Sequence, residues 1–170
     1  MPMETKLNGY TLKIIPDENP LNPRTDCDHL GIMLCWHRRY SLGDSHPYDT
    51  PQDFAESAAA KDMFVCLPVY LLDHSGLYVS VNDFNDSWDS GQLGFIYCTK
   101  QDAQKWFNKP DITEDEIKKE LTAEVEEYND YLNGAWYGFL IEGLDGEVED
   151  SCGGFLRYCQ GLVERMYKKA

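Results

Sequence analysis

Residues 64–99 constrain the fold of this chain most, because they hold three apolar runs rich in β-forming residues. The first two runs are joined by Asp73-His74-Ser75-Gly76, which predicts a tight hairpin with Gly76 at positive φ. The third run spans residues 92–98. The stretch therefore predicts a central antiparallel sheet. Pro68 interrupts the first run, so an edge position or a bulge is expected there.

Further strands are predicted on both sides of this stretch. Residues 10–15 alternate between apolar and polar side chains, whereas residues 30–36 are apolar enough to be buried on both faces. Residues 135–143 predict another strand. The turn residues Leu144-Asp145-Gly146 connect it to a hairpin partner over residues 147–151.

Three helices are predicted from a repeated start signal, in which a threonine caps the helix and an acid follows three residues later. The signal occurs at Thr50, Thr99 and Thr113, and the first helix is expected to run to about Ala60. The clearest helix spans residues 114–132, where apolar residues recur at helical spacing. They form one stripe that should face the core, made of Ile117, Leu121, Val125, Tyr128 and Leu132.

A closing helix is predicted from about Gly154, with an apolar face made of Phe155, Cys159, Leu162, Val163 and Met166. A length of 170 residues is enough for one well-buried core. We therefore predict a single α+β domain over residues 1–170. It should contain an antiparallel β-sheet of about five or six strands, with three or four helices packed against it.

The charge of the chain restricts its partners. Thirty acids against 15 bases give a net charge of −15, which argues against binding to DNA, RNA or an anionic membrane. Such a charge suits a solubilising surface or a protein that binds a basic partner. The hydrophobic content of 42% excludes global disorder.

Several features predict a cytoplasmic protein. The first ten residues lack the basic and apolar regions of a secretory signal, and no apolar run is long enough to span a membrane. The six cysteines form no C-x-x-C pair, which favours reduced, mostly buried thiols and gives no support to a zinc site. They are Cys27, Cys35, Cys66, Cys98, Cys152 and Cys159.

The negative charge is concentrated in two segments. Residues 111–150 contain 14 acids and 2 bases, and residues 62–99 contain 5 acids and no base. Simple solvation explains the acids near a helix start, where the helix dipole favours them, but explains the later ones less well. We therefore predict one acidic, partner-binding face on the long helix and the following hairpin. Its residues are Glu116, Glu120, Glu126, Glu127, Asp130, Glu147, Glu149 and Asp150.

Asp73-His74-Ser75 contains the three residue types of a catalytic triad, but adjacent residues rarely converge on one point. A hairpin turn explains these residues without any chemistry, since Asp and Ser favour turns. A site made from Cys152 or Cys35 with His74 and an aspartate stays open as an alternative. No catalytic residue is assigned.

Other groups of residues also have two interpretations. Asp83, Asp86 and Asp89 could converge on Mg²⁺ or Ca²⁺, but their spacing is that of a polar loop rather than of an EF-hand. The His37-Arg38-Arg39 segment could bind an anion or pair with nearby acids. No metal or cofactor is predicted. The tryptophans are expected to pack in the core or at its rim, since no basic surface surrounds them: Trp36, Trp88, Trp106 and Trp136.

Five segments together resemble a family of small acidic proteins encoded by bacteriophages, plasmids and integrated elements of gut and Gram-positive bacteria. The segments are residues 22–44, 67–76, 88–100, 124–142 and 150–155, so they are spread from residue 22 to residue 155 of the chain. The resemblance implies an origin in a mobile element rather than a particular activity. Members of the family often carry a longer segment where residues 50–62 stand here.

Two functional hypotheses follow. The first is an interaction protein that inhibits a host defence nuclease of the CRISPR or restriction type, by presenting acids to its nucleic-acid channel in the host bacterial cytosol. Its partner would be a basic host protein, and a homodimer stays open. The alternative is a small cytosolic enzyme, a hydrolase or nucleotide-processing protein, that uses His74, Cys152 and the loop aspartates. Phosphate substrates favour Lys, Arg or a Gly-rich loop, and residues 62–99 contain no base.

Overall fold

The computed structural model describes residues 3–156 in two compact units. The first unit is discontinuous in sequence, since it combines residues 3–21 with residues 130–156. The second unit is the intervening segment Asn22–Asn129. The expected single domain over residues 1–170 stays a prediction.

Strands and helices are mixed along the described residues, so the predicted α+β class is confirmed. The strands are β1 (Met3–Leu7), β2 (Tyr10–Pro16), β3 (Ile32–Cys35), β4 (Met63–Asp73), β5 (Leu77–Ser80), β6 (Ser90–Thr99), β7 (Trp136–Glu142) and β8 (Val148–Leu156). The helices are α1 (Pro51–Ala55), α2 (Ala58–Lys61), α3 (Lys100–Phe107) and α4 (Glu114–Leu132).

The sheet of the first unit has four antiparallel strands in the order β1-β2-β7-β8. Leu12 pairs with Ile141 and Ile14 pairs with Phe139, and these four side chains form one buried cluster. The alternation predicted for residues 10–15 therefore turns every second side chain toward a core.

The sheet of the second unit also has four antiparallel strands, in the order β3-β6-β4-β5. Residues 64–99 supply nearly all of β4, β5 and β6, so the prediction that this stretch forms a sheet is confirmed. Pro68 pairs with Phe95 of β6, whereas β5 pairs with β4 only from Tyr70 onward. Pro68 thus lies in the edge part of β4, beside a register shift between Val69 and Tyr70.

The predicted sheet of about five or six strands is wrong, because the strands divide between two four-stranded sheets. The strands predicted over residues 10–15 and 135–143 pair with each other rather than joining the central sheet. β1 was not predicted at all, because this strand has only five residues and most of them are exposed. The closing helix cannot begin at Gly154, which belongs to β8, and the rest of that prediction lies outside the described residues.

Threonine caps mark the helix starts as predicted. The Thr50 hydroxyl accepts a hydrogen bond from the Asp53 backbone N–H at 3.1 Å, and the Asp53 carboxylate accepts one from the Thr50 N–H at 2.9 Å. The helix expected to run to about Ala60 is instead two short helices. Ser57 causes the break, because its hydroxyl caps α2.

The apolar stripe of α4 faces a core, as its spacing predicts. Ile117, Leu121, Val125 and Tyr128 are buried, and Leu132 is half-buried. A Cβ atom at Gly31 would lie 2.6 Å from both Leu121 and Ile96. The absence of a side chain at residue 31 therefore lets α4 approach β6 closely. Within the part of the chain that the structure covers, no helix is long and apolar enough to cross a membrane.

Candidate functional site

Four of the predicted partner-binding acids lie on α4 in the second unit. Glu126 is exposed, whereas Glu116, Glu120 and Glu127 are half-buried. The apolar stripe thus turns these acids away from the core, but only Glu126 is fully open to solvent among them.

Glu116 is engaged at the start of α4. Its carboxylate accepts hydrogen bonds from the Thr113 backbone N–H at 2.9 Å and from the Thr113 hydroxyl at 3.0 Å, and it pairs with Lys109. The hydrogen bond from Lys109, together with those from Thr113, lowers the pKa of Glu116 to about 2. Glu116 therefore acts as a helix-capping residue with a neighbouring cation.

Glu120 is also less available than its spacing suggests. Burial raises the pKa of its carboxyl group, and the charge of Glu124 raises it further, against a hydrogen bond from Trp106 that lowers it. The Glu120 carboxyl group is thus partly desolvated and already accepts a hydrogen bond.

Asp130 contradicts its predicted place on the outward face, since it is only 7% exposed and belongs to the first unit. Helical spacing places it opposite the stripe, but the chain reverses soon after the helix ends at Leu132. The Asp130 carbonyl accepts the Ala135 N–H at 2.9 Å, so the returning chain lies against this last turn. Asp130 is therefore removed from the candidate surface.

The three remaining acids lie on the β7–β8 hairpin of the first unit. Its turn forms as predicted, with the Gly143 N–H donating to the Glu147 carbonyl at 2.9 Å. Glu147, Glu149 and Asp150 are all exposed. Leu144 and Val148 beside them are 91% and 54% exposed, so the hairpin presents both charge and apolar surface.

Three of these carboxylates take part in none of the ion pairs of the described residues. Within residues 3–156, no ion pair joins Glu126, Glu147 or Glu149 to a lysine or arginine. We call these three residues the open acids. Glu126 belongs to the second unit, and the other two open acids belong to the first.

The Asp73–Gly76 connector is a hairpin turn, as predicted. Gly76 has φ of +154° and Ser75 has φ of +54°. The His74 Nδ1 atom lies 2.8 Å from the Asp89 carboxylate, whereas the Asp73 carboxylate pairs with Arg39 at 2.6 Å. Asp73 and His74 therefore have separate partners, and no triad forms at the turn.

The cysteines give the enzyme alternative little support. Those in the described range are free thiols, and Cys35 and Cys98 are buried as predicted. Burial raises the pKa of Cys35 to about 12, which keeps this thiol protonated and non-nucleophilic near neutral pH. Cys66 is exposed on β4, contrary to the expected burial, because alternate side chains of a strand point to opposite faces. Cys152 is exposed, and it belongs to a different unit from His74.

Two of the three loop aspartates bind backbone groups, and the third, Asp89, contacts His74. The Asp83 carboxylate accepts the Asn85 N–H at 3.0 Å, and the Asp86 carboxylate accepts the N–H groups of Trp88 and Asp89 at 2.9 Å. The hydrogen bonds from Asp89 and Trp88 lower the pKa of Asp86. Among the described residues, no three His, Cys, Asp or Glu side chains are grouped as metal ligands would be. The contacts of these aspartates are those of a polar loop.

A cleft of about 880 Å³ lies along residues 35–49 and includes His37, Arg38 and Arg39. The His37 Nδ1 atom accepts the backbone N–H groups of Arg39 and Tyr40, at 3.1 and 3.3 Å. Arg39 pairs with Asp73, so local pairing accounts for one of the two arginines. No acid pairs with Arg38 within residues 3–156, and the anion hypothesis for this cleft stays a prediction.

The tryptophans follow the packing expectation with one clear exception. Trp36 donates from Nε1 to the Tyr48 carbonyl at 3.0 Å and packs on Phe95, and Trp136 is buried. Trp106 is 41% exposed. Trp88 is 93% exposed, so the expected packing is wrong for this residue.

A buried charged network was missed by the sequence reasoning. The Arg24 guanidinium is 1% exposed and donates to Asp44 at 2.6 and 2.8 Å, to Glu124 at 3.0 Å and to the Gly31 carbonyl at 2.7 Å. Burial alone lowers the pKa of Arg24, but the hydrogen bonds and charges of the two carboxylates raise it overall. Glu124 gave the available signal, since it lies on the side of α4 that carries the apolar stripe.

No protein-family model, curated protein or solved structure matches this chain.

Proposed function

We propose that this chain is an interaction protein of a bacteriophage or other mobile element, and that it inhibits a host defence nuclease of the CRISPR or restriction type. The open acids would contact the Lys- and Arg-lined channel in which the nuclease holds nucleic acid. The single observation that supports this proposal is the exposure of Glu126, Glu147 and Glu149, none of which forms an ion pair with a lysine or arginine in residues 3–156.

The electrostatics favour a basic partner. A chain with a net charge of −15 repels nucleic acid and attracts a surface that has evolved to hold phosphates. Complementary charge accelerates association more than it strengthens a complex that has already formed. The apolar side chains of Leu144 and Val148 beside the hairpin acids add surface that a bound protein could cover.

The first experiment is capture of host proteins with the tagged full-length chain, followed by a nucleic-acid cleavage assay of each captured nuclease. We expect a basic nuclease whose cleavage falls as the chain is added. We also expect inhibition to weaken between 0.1 M and 1 M salt, over which the screening length falls from about 10 Å to about 3 Å. Capture of no nucleic-acid-binding protein, or inhibition that does not respond to salt, would contradict the proposal.

Reversing the charge of the open acids should slow association with this nuclease. We expect the variant Glu126→Lys, Glu147→Lys, Glu149→Lys to associate at least about tenfold more slowly at low salt, because steering by charge changes rates by about 10- to 1,000-fold. Stopped-flow or surface-based association rates measure the effect, and thermal unfolding shows whether the fold is kept.

A second triple variant controls for net charge alone. Glu18→Lys, Asp28→Lys, Asp62→Lys makes the same change in charge at exposed acids outside the candidate surfaces. We expect this variant to retain most of the wild-type rate. Equal slowing in both variants would show that overall charge matters and that the open acids have no particular role.

The enzyme alternative keeps one supporting observation, the His74–Asp89 hydrogen bond of 2.8 Å. Both side chains are exposed, at 70% and 42%, and such surface pairs contribute only about 0–1 kcal/mol to stability. We expect His74→Ala to fold normally and to inhibit the nuclease as well as the wild type. A folded His74→Ala variant that has lost inhibition would favour the enzyme.

A further inference from the structure

Trp88 is the most exposed large hydrophobic side chain among the described residues. It is 93% exposed, although tryptophan is highly buried on average in folded proteins. Its backbone N–H is held by the Asp86 carboxylate at 2.9 Å, so the indole projects from a fixed backbone. An exposed aromatic ring of this size is typical of the residues that contribute most to protein–protein binding.

A cleft of about 270 Å³ lies beside the indole. Leu71 and Leu93 give it apolar surface, and Asp73, Asp89 and Arg39 give it charge. Arg39 is paired with Asp73, so the two charges offset each other. The Asp89 carboxylate is 42% exposed and has only the His74 ring as a partner in the described ion pairs, and that ring is charged only when protonated. The cleft therefore brings the Asp89 carboxylate together with the Trp88 indole.

We propose that Trp88 and Asp89 bind an arginine side chain of a basic protein partner. The guanidinium would stack on the indole face, and its N–H groups would donate to the Asp89 carboxylate. Arginine fits this arrangement better than lysine, because the guanidinium is planar, more weakly hydrated and able to stack while it donates hydrogen bonds. Nucleic acid is disfavoured here, since residues 62–99 contain five acids and no base.

The proposal rests on the proposed function in one respect, namely that the arginine belongs to a basic partner. It adds a specific contact to an interaction that the proposed function otherwise explains by charge alone. Cation–π contacts account for about a two- to thirty-fold change in affinity, depending on how far they are desolvated.

The test uses the full-length chain labelled with ¹⁵N, so that each tryptophan indole N–H gives its own NMR signal. The probe is a short glycine peptide with two arginines. The matched peptide carries citrulline at both positions, which keeps the shape of the side chain and removes its charge. We expect the arginine peptide to shift the Trp88 indole signal to saturation, and the citrulline peptide to shift it at least about fivefold less at equal concentration.

Variants distinguish a specific arginine contact at Trp88 and Asp89 from general attraction by charge. Trp88→Ala and Asp89→Asn should each weaken binding of the arginine peptide by about threefold or more, and neither side chain is buried. Leu21→Ala is the control, since Leu21 is also an exposed apolar residue, at 53%, and lies outside this surface. We expect wild-type affinity for that variant.

Three results would overturn the proposal that Trp88 and Asp89 bind an arginine. They are equal responses to the arginine and citrulline peptides, unchanged affinity in Trp88→Ala, and a Trp88 signal that shifts with protein concentration alone, which would identify a second copy of the chain as the occupant. The peptide experiment does not use the nuclease. Its failure would therefore leave the proposed function standing, whereas failure of the open-acid variant would leave a positive peptide result intact.

Discussion

Replacing Arg24 with alanine is expected to lower the free energy of unfolding by about 3–5 kcal/mol, the usual result when one partner of a buried ion pair is removed. The Arg24 side chain is 1% exposed, and it offsets the charge of Asp44 and Glu124. Glu124 also accepts the backbone N–H groups of Leu30 and Gly31, at 2.6 Å and 3.0 Å. Without the guanidinium, the Asp44 and Glu124 carboxylates would lose the arginine that they share, and the Gly31 carbonyl would lose a hydrogen-bond donor.

Chemical denaturation of the full-length chain measures this loss. Arg39→Ala is a matched control, because the Arg39–Asp73 pair has a similar distance of 2.6 Å but an arginine that is 69% exposed. We expect about 0–1 kcal/mol for that exposed pair. If the two variants lost the same stability, the Arg24 network would be no more than a surface contact.

Gly94→Ala is expected to destabilise the second unit by about 3 kcal/mol or more, which is the upper end for overpacking. A Cβ atom at residue 94 would lie 1.8 Å from the Leu34 carbonyl oxygen and 3.0 Å from the Cys35 Cα atom. Gly94 pairs with Cys35, so β3 and β6 would have to separate where they are hydrogen-bonded. The constraint is steric and backbone on backbone, and no side-chain rotation can relieve it.

Gly91→Ala on the same strand is the control. A Cβ atom at residue 91 meets nothing within 4 Å. We expect a change within about 1 kcal/mol, since an added methyl group mainly restricts the unfolded chain. Thermal or denaturant unfolding measures the stability of both variants. A Gly94→Ala variant as stable as Gly91→Ala would show that β3 and β6 can move apart freely.

Local signals in the sequence were sufficient for most helices. The bounds of α4 and the starts at Thr50, Thr99 and Thr113 depend on side chains that bind backbone groups three residues away. Such contacts can be recognised from a short stretch of sequence. The split between α1 and α2 is of the same kind, since Ser57 is a good cap, but the helical run of alanines after it concealed the break.

Strand partners could not be predicted in the same way. The alternation of residues 10–15 predicts a strand, but no local pattern indicates that residue 12 pairs with residue 141. Sheet pairing depends on contacts distant in sequence, and no local pattern in β2 or β7 specifies the partner strand. One sheet was therefore predicted where two exist.

The candidate surfaces show a similar division. Helical spacing correctly turned Glu126 outward, and the turn residues correctly exposed Glu147 and Glu149. Helical spacing wrongly predicted that Asp130 is exposed, since the chain returns against this last turn of the helix. Periodicity predicts which side of a helix a residue occupies, but not what covers that side, and it gave no warning of the exposed Trp88.

The discontinuous first unit has a consequence for synthesis on the ribosome. Lys13 on β2 pairs with Glu142 on β7, 129 residues later, so at about 5–20 residues per second the partner strand arrives some 6–26 seconds afterwards. The second unit is continuous, and all of it is translated in that interval. The second unit can therefore begin to fold while the β2 edge of the β1–β2 hairpin still has no partner strand. An unpaired edge is where a nascent chain aggregates, and the charged side chains Lys6 and Lys13 on this hairpin disfavour pairing with another copy until β7 emerges.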